Sequence, residues 1–223
     1  MTLYMNCENL EIRMGSKPLI SKFNFSINAS ETTAITGANG VGKTSLLRVI
    51  AGLSKPYFGK IDIFQLPNTA QLNKIPLIFL ANQPALLLDQ SVKWNLDFYT
   101  QSYGFFYTAN DYEKALKAVG LAGRELQIAR SLSTGQKRRL TLAVLILIKP
   151  KVILADEPTN GLDEEGTLLC LEIFKSLQVE QQSAIVIATH DLKLIHWSQK
   201  EIHLSKFIPN QIKNVKSEIK VLL

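Results

Sequence analysis

The sequence predicts one α/β domain in which an antiparallel β edge and an inserted helical subdomain are attached to a core of alternating strands and helices. Strand-like and helix-like segments alternate near both ends of the chain, whereas residues 91–147 have helical patterns throughout. The chain has 223 residues, 46% of them hydrophobic, which is enough to bury a single core. We therefore expect one domain over residues 1–223, with the helical subdomain at about residues 85–147.

The first predicted elements are strands. The segments "NLEIRM" and "FNFSIN" alternate like an antiparallel pair at a sheet edge. The run "ETTAIT" has the β-branched, apolar character of a short buried strand. It precedes a glycine-rich bend and "SLLRVIAGL", whose apolar residues recur at helical spacing. "GKIDIF" and "IPLIFLANQ" predict two further strands.

Three helical segments follow, "SVKWNLDFYTQSYG", "TANDYEKALKAVGL" and "LSTGQKRRLTLAVLILI". After Pro150 the alternation returns, with "KVILADE", "SAIVIATH" and "KEIHLS" as strands and with "EEGTLLCLEIFKSLQ" and "DLKLIHWS" as helices. The sum is an α/β core interrupted by a helical insert.

The glycine-rich bend "TGANGVGKTS" matches the pattern G-x-x-x-x-G-K-[ST]. Glycines allow backbone N–H groups to cradle phosphate oxygens, the lysine reaches the β- and γ-phosphates, and the following hydroxyl binds Mg²⁺. An ordinary glycine-rich turn is the alternative, but a strand before and a helix after the bend favour a nucleotide site. The predicted nucleotide-binding residues are Gly37, Ala38, Asn39, Gly40, Val41, Gly42, Lys43, Thr44 and Ser45.

A second group of residues lies in "KVILADEPTNGLD", where a buried apolar strand ends in Asp156 and Glu157. In a phosphate site Asp156 can hold the Mg²⁺ shell through water, and Glu157 can polarise the water that attacks the γ-phosphorus. Two solvated charges at a strand end are the alternative, which the glycine bend disfavours. Pro158 ends the strand, and Asp163 precedes the next helix.

A third group lies in "SLSTGQKRR", where Ser133 is placed to cap the following helix and Gly135 leaves its backbone amide open. A plain helix cap is the alternative. Because the glycine bend already provides a cradle for one nucleotide, a second anion site would bind a phosphate held by another copy of the protein.

Charge and cysteine content limit the partners and the compartment. The net charge of +6 is scattered apart from "GQKRRL" and "KNVKSEIK", so we interpret it mainly as solvated surface and expect no nucleic-acid partner. No apolar run reaches the ~18 residues of a membrane span, and the acidic N-terminal segment is unlike an export signal. We expect a cytoplasmic protein in which Cys7 and Cys170 are free thiols that bind no metal.

Together these motifs resemble the nucleotide-binding domain of ABC ATPases, which has a P-loop NTPase core with a mixed sheet flanked by helices. "GANGVGKT" resembles the Walker A loop, "LSTGQ" the signature L-S-G-G-Q, "VILADE" Walker B and "NGLD" the D-loop. Gln83 in "FLANQP" and His190 in "IATHD" occupy the places of two further family residues. His196 and His203 match nothing and are interpreted as structural.

The resemblance implies ATP and Mg²⁺ as cofactors and a dimer in which each nucleotide lies between two subunits. Its catalytic residues would be Glu157, His190 and Gln83, with His190 at the γ-phosphate. Thr44, Gln83 and Asp156 would hold the metal. The residues contributed to the partner's nucleotide would be Ser133, Gly135 and Gln136.

Two positions depart from the family pattern. Thr134 replaces the first signature glycine, and its β-branched side chain narrows the approach of a phosphate. Met14 stands where the family usually has an aromatic residue that stacks on adenine, so the base would meet only a soft aliphatic platform.

Within the family, the chain looks most like the ATP-binding subunit of the cytochrome c maturation (haem exporter) system. The similarity includes the insert, with Asn95 and Leu96 before the aromatic pair Phe98 and Tyr99. It implies membrane permease partners, a peripheral place on the cytoplasmic side of the inner membrane, and haem handled by the complex without binding to this chain. The insert also has an aromatic string that is either packed core or a docking surface: Trp94, Phe98, Tyr99, Tyr103, Phe105, Phe106 and Tyr107.

Three other functions are alternatives to cytochrome c maturation. The first, the ATP-binding subunit of another small ABC exporter, remains open. A soluble ABC protein acting on ribosomes or DNA ends would normally need two cassettes or a long coiled coil, which this length does not accommodate. A GTPase switch is disfavoured because "NKIP" at Asn73 lacks the aspartate of an N-K-x-D motif.

Overall fold

A computed structural model describes residues 2–64, 66–67 and 77–209 of the chain. In chain order its strands are β1 (Leu3–Met14), β2 (Lys17–Asn28), β3 (Thr32–Thr36), β4 (Phe58–Ile63), β5 (Leu66–Pro67), β6 (Leu77–Leu80), β7 (Val152–Asp156), β8 (Ala184–Ala188) and β9 (Lys200–His203). The helices are α1 (Lys43–Ile50), α2 (Val92–Ser102), α3 (Ala109–Ala118), α4 (Thr134–Ile148), α5 (Glu164–Glu180) and α6 (Leu192–Trp197). Short 3₁₀ turns lie at Ala129–Ser131 and Leu204–Phe207.

Four strands form an antiparallel sheet in the order β2-β1-β4-β5. β1 pairs with β2 and with β4, and residues that alternate along these strands are buried on one face, as the alternation in the sequence predicts. The buried face packs on α1, where Leu46 and Leu47 are fully buried. The predicted antiparallel pair is therefore confirmed.

The other five strands form a parallel sheet in the order β6-β7-β8-β3-β9. β3, β7 and β8 are buried along their whole length, which explains why their sequences are continuous apolar or β-branched runs. Since parallel strands end at the same edge, the residues that follow β3, β7 and β8 are brought together there.

Helices α2, α3 and α4 lie between β6 and β7 in the chain, as the sequence predicts. Ser91, Thr108 and Ser133 cap their N-termini by accepting hydrogen bonds from backbone N–H groups. Helix α2 ends at Ser102, so the last two residues of "SVKWNLDFYTQSYG" lie beyond it. A core cluster that includes Leu96, Leu116 and Leu142 joins these helices to β6 and β7.

Within residues 2–64, 66–67 and 77–209, no helix has the length and apolar character that crossing a bilayer requires. The "NKIP" segment at Asn73 and the basic "KNVKSEIK" segment lie outside these residues.

Candidate nucleotide-binding and catalytic site

Three neighbouring strands of the parallel sheet carry the candidate site at their carboxyl ends. β3 runs into Gly37, β7 into Glu157, and β8 reaches His190 after one intervening residue. Because β8 lies between β7 and β3, these three segments are adjacent in space. The structure thus joins two sequence motifs that are more than a hundred residues apart.

The glycine bend follows β3 and leads into α1. Gly42 has a φ of 111° and forms the N-cap of α1, with no side chain capping the helix start. A β-carbon at Gly42 would lie 3.4 Å from Cδ1 of Ile20, and at Gly37, where φ is 142°, it would lie 3.2 Å from Cγ1 of Val41. The first N–H groups of α1 therefore lack a side-chain partner, which is the arrangement that suits an anion.

Lys43 is the first residue of α1 and is 8% exposed. Its ammonium donates a hydrogen bond to the carbonyl of Gly37 at 2.8 Å and lies 2.9 Å from Nε2 of His190. The lysine side chain thus folds back over its own loop toward the end of β8. No carboxylate among the described residues pairs with it, so its charge is available to a phosphate.

Thr44 and Asp156 form the second contact between the loop and the strand ends. The Thr44 hydroxyl donates to Oδ2 of Asp156 at 2.8 Å, and Asp156 is 2% exposed. A hydroxyl and a buried carboxylate side by side are hard oxygen donors of the type that Mg²⁺ prefers. The donor set therefore fits the predicted metal.

Glu157 has a left-handed backbone, with φ at 45°, immediately after β7. Its N–H donates to the carbonyl of Ala188 at 2.8 Å, which ties this strained residue to β8. The backbone N–H of His190 donates to Oε2 of Glu157 at 3.3 Å, and Nε2 of His190 lies 3.6 Å from Oε1. Asn39 Oδ1 is 3.0 Å from the same ring nitrogen. His190 thus contacts the loop, the lysine and the glutamate.

Ser133 begins α4 as a full capping box. Its Oγ accepts from the backbone N–H of Gln136 at 3.2 Å, and its own N–H donates to Oε1 of Gln136 at 3.0 Å. Thr134 packs on the turn after Glu157, since a β-carbon at Gly161 would lie 2.7 Å from Cγ2 of Thr134. Gly135 also fits closely there, because a β-carbon on it would lie 3.0 Å from the Gly161 carbonyl oxygen.

Gln83 is exposed in the segment after β6 and makes no hydrogen bond to another predicted site residue in the described part of the chain. Its neighbour Asn82 does connect elements, because Nδ2 of Asn160 donates to Oδ1 of Asn82 at 2.9 Å. The structure therefore brings Lys43, Thr44, Asp156, Glu157 and His190 together and leaves Gln83 outside that group.

Arg138 is a residue whose importance the sequence analysis missed. The interpretation of the basic excess as mainly solvated surface does not apply to this residue, because Arg138 is 1% exposed and is the largest fully buried side chain of the described residues. A signal was available, since Arg138 lies four and seven residues before the buried Leu142 and Leu145 on the inner face of α4.

The aromatic string divides into two sets. Tyr99, Tyr103 and Tyr107 are partly buried against the core cluster. Trp94 and Phe98 stack with ring centroids 5.5 Å apart and are 44% and 43% exposed, and Phe106 is 81% exposed. Each of the two interpretations, packed core and exposed surface, therefore applies to part of the string.

Two other sequence predictions concern single side chains. Met14 is 67% exposed at the end of β1, opposite Lys17 in the hairpin. Cys7 and Cys170 are free and buried, and burial raises the pKa of each thiol to about 12. Neither thiol is therefore poised for reaction at neutral pH.

Comparison with protein families identifies one model, described as ABC transporter, that matches residues 20–160. A protein of Pyrococcus horikoshii named as an ABC transporter ATP-binding protein is 34% identical over 187 residues, covering 80% of this chain and 70% of that protein. The cytochrome c biogenesis ATP-binding export protein CcmA of Brucella abortus is 34% identical over 186 residues, covering 83% and 85% of the two chains.

A third relative, from Methanosarcina mazei, is longer, and the match covers 39% of its length. Among solved structures, the dimeric structure of MJ0796, a bacterial ABC transporter cassette, superimposes with a TM-score of 0.79 at 25% identity. That match covers 90% of this chain and 94% of the other. The predicted P-loop NTPase core with its antiparallel sheet is thereby confirmed.

Proposed function

Because the chain belongs to the ABC transporter family and is an ABC-type ATPase, we propose that it is the ATP-hydrolysing subunit of a membrane transport complex that drives cytochrome c maturation. The observation that carries the chemical part of the proposal is the convergence of Lys43, Thr44, Asp156, Glu157 and His190 at one sheet edge. These residues are the phosphate, metal and water ligands that phosphoryl transfer requires.

In this mechanism the loop amides and the start of α1 bind the phosphates, and Lys43 exchanges its contact with the Gly37 carbonyl for the β- and γ-phosphates. Thr44 and Asp156, together with Gln83, would hold Mg²⁺, which neutralises charge that develops on the phosphate oxygens. Glu157 accepts a proton from the attacking water. His190 binds both the glutamate and the γ-phosphate and so fixes their positions relative to each other.

We propose a homodimer because the start of α4 is exposed and, among the described residues, forms no hydrogen bond with Lys43, Thr44, Asp156, Glu157 or His190. Ser133 is exposed at the start of α4, and Ser133, Gly135 and Gln136 would contact the nucleotide bound to the partner subunit. The dimeric structure of MJ0796 supports this arrangement. ATP would then close the two subunits, and hydrolysis would separate them.

The helical subdomain at about residues 85–147 is proposed to dock the membrane permease. The exposed rings of Trp94, Phe98 and Phe106 give this segment an apolar aromatic surface, which is the composition of protein interface cores. Docking there would place the chain peripherally on the cytoplasmic side of the inner membrane. The permease subunits would handle haem, and this chain would bind neither haem nor nucleic acid.

The choice of cytochrome c maturation is supported by the similarity to CcmA of Brucella abortus over 85% of its length. A different small ABC exporter is the second candidate, favoured by an equal identity to the Pyrococcus horikoshii protein. The two candidates differ in their membrane partners, so identification of those partners distinguishes them.

The deciding experiment is affinity purification of the tagged chain from membranes of its native host in mild detergent. We expect haem-handling permease subunits to co-purify, and the double change Trp94→Ala with Phe98→Ala to remove them. Phe58→Ala is the matched control, because Phe58 is 64% exposed on the antiparallel sheet. Recovery of permeases unrelated to haem would overturn the cytochrome c assignment, and equal recovery with the double variant would overturn the docking surface.

A further inference from the structure

Arg138 has an unusual environment for a charged side chain. It is 1% exposed, and it forms no ion pair within the described residues, although the more distant Asp156 acts on its charge. Burial lowers the pKa of this group, and its Nε has no hydrogen-bond partner in the part of the chain that the structure describes. A buried charge with one unpaired donor contributes little to stability, so the contacts of the other guanidinium nitrogens decide what this side chain does.

The other guanidinium nitrogens bind backbone immediately before Gln83. NH1 donates to the carbonyl of Ala81 at 2.8 Å, and NH2 donates to the carbonyl of Asn82. The fork of the guanidinium thus holds two consecutive peptide units, which fixes the direction of the chain as well as its position. A lysine at this position would offer a single charged centre in place of the fork.

The same segment is held from its other side by the turn after Glu157. The Asn160 amide donates to the Asn82 side chain at 2.9 Å, so residues 81–83 lie between α4 and this turn. Gly161 of this turn also packs against Thr134 at the start of α4. Three segments that carry Gln83, Ser133 and Glu157 therefore contact one another through side chains outside the predicted site.

Arg138 lies in the second turn of α4, five residues after the Ser133 cap. An α-helix carries its hydrogen bonds along the backbone, so its first two turns move as one body. A displacement of Ser133 would consequently be passed to the backbone before Gln83 through the guanidinium. Without the fork, the exposed contact with Asn160 would be the remaining side-chain hydrogen bond on this segment among the described residues.

We propose that Arg138 is a positioning residue that couples the start of α4 to the placement of Gln83, so that the two move together when a partner subunit binds at Ser133. The inference rests on the proposed function, because it assigns Gln83 and Ser133 to the hydrolytic cycle. Arg138 itself touches neither nucleotide nor water.

The test uses Arg138→Lys and Arg138→Met, with Arg139→Lys as the matched control. Arg139 is the neighbouring arginine on α4 and contacts Asp163 and Glu165 rather than residues 81–83. For Arg138→Lys we expect kcat for ATP hydrolysis to fall roughly tenfold with KM for ATP nearly unchanged, because loss of one charge-assisted hydrogen bond to the backbone before Gln83 would misplace Gln83 by the equivalent of about 1.4 kcal/mol. Arg139→Lys should retain the wild-type kcat.

A second measurement does not depend on turnover. In the Glu157→Gln background with ATP and Mg²⁺, amide hydrogen exchange should show protection of residues 81–85 and 133–137 together. Arg138→Met should keep the protection at 133–137 and lose it at 81–85. Equal protection at both segments with wild-type kcat in folded Arg138 variants would overturn the inference.

Different results would refute the proposed function and the role of Arg138. If the unmodified protein bound no ATP, the proposed function would fall. If it bound and hydrolysed ATP normally, and Glu157→Gln stopped turnover while both Arg138 variants kept full kcat and coupled protection, only the role of Arg138 would be lost.

Discussion

The ammonium nitrogen of Lys43 lies 2.9 Å from Nε2 of His190. Lysine can only donate in this contact, so the ring nitrogen has to act as the acceptor. The same nitrogen faces Oδ1 of Asn39 and the Glu157 carboxylate. Lys43, which we propose binds phosphate, and Glu157, which we propose activates water, therefore both contact one imidazole, so displacement of Lys43 by a phosphate would change the surroundings of Glu157.

Lys43→Ala tests the phosphate contact. The change removes the buried ammonium while leaving the loop backbone in place, and we expect nucleotide binding to be abolished, with an affinity loss on the order of a hundredfold or more. Titration with a fluorescent ATP analogue measures it, and Lys55→Ala provides a control at an exposed lysine. An unchanged dissociation constant for Lys43→Ala would contradict the assignment.

Glu157→Gln tests the catalytic carboxylate. Glutamine keeps the shape and can still accept the His190 N–H, but it cannot take a proton from water. We expect ATP to bind and to trap a closed dimer without turnover, detected by size-exclusion chromatography and phosphate release. Glu165→Gln, at a side chain that is 86% exposed, should behave as wild type. Equal hydrolysis rates for Glu157→Gln and the unmodified protein would remove Glu157 from its role.

Met14→Tyr tests base recognition. The hairpin that carries Met14 also carries Ile20, whose Cδ1 would lie 3.4 Å from a β-carbon at Gly42, so the exposed Met14 lies on the element beside the glycine bend. An aromatic ring at this position should raise ATP affinity by about fivefold, since stacking on a base contributes ~1 kcal/mol. Comparison of ATP, GTP and tripolyphosphate dissociation constants measures the gain. Val179→Tyr, at a site 75% exposed, is the control. A gain for tripolyphosphate equal to that for ATP would argue against stacking.

Gly161→Ala tests the contact between the turn and α4. Gly161 has a φ of 81°, and the added methyl group would lie 2.7 Å from Cγ2 of Thr134. Gly104→Ala is the matched control, because Gly104 has a φ of 79° with nothing within 4 Å. We expect Gly104→Ala to lower the free energy of unfolding by about 1–2 kcal/mol and Gly161→Ala to lower it further. Adding Thr134→Gly should recover the difference. Chemical denaturation measures each value, and equal losses for the two alanine variants would show that the Thr134 contact is not tight.

The elements of the site that the sequence predicts are those encoded within a few residues. The glycine bend needs residues with left-handed backbone beside Lys43, and the buried strand before Asp156 can end in carboxylates only where they have partners. Such requirements restrict which residue types can occur there, so they are visible as a short pattern in the sequence. His190 is predicted from its place after an apolar strand, and the parallel pairing of β8 with β7 and β3 puts it beside these residues.

The contacts of Arg138 and Asn82 leave no comparable pattern. Arg138 binds carbonyls 56 and 57 residues away, and any residue type presents a backbone carbonyl. Asn82 and Asn160 are 78 residues apart and are both common turn residues. The position of β9 beside β3 could not be predicted from the sequence either, because strand order depends on the crossover connections and not on the composition of one strand.

The adjacency of β6 and β7 in the parallel sheet has a consequence for protein engineering. The helical insert between them leaves and rejoins the sheet at neighbouring strands, whereas Lys43, Thr44, Asp156, Glu157 and His190 lie at or after the ends of β3, β7 and β8. We therefore expect that the helices of this insert can be exchanged for another set in a chimaeric protein without moving those five residues. Such a chimaera should keep Arg138 and Asn160, because their contacts hold the residues just after β6.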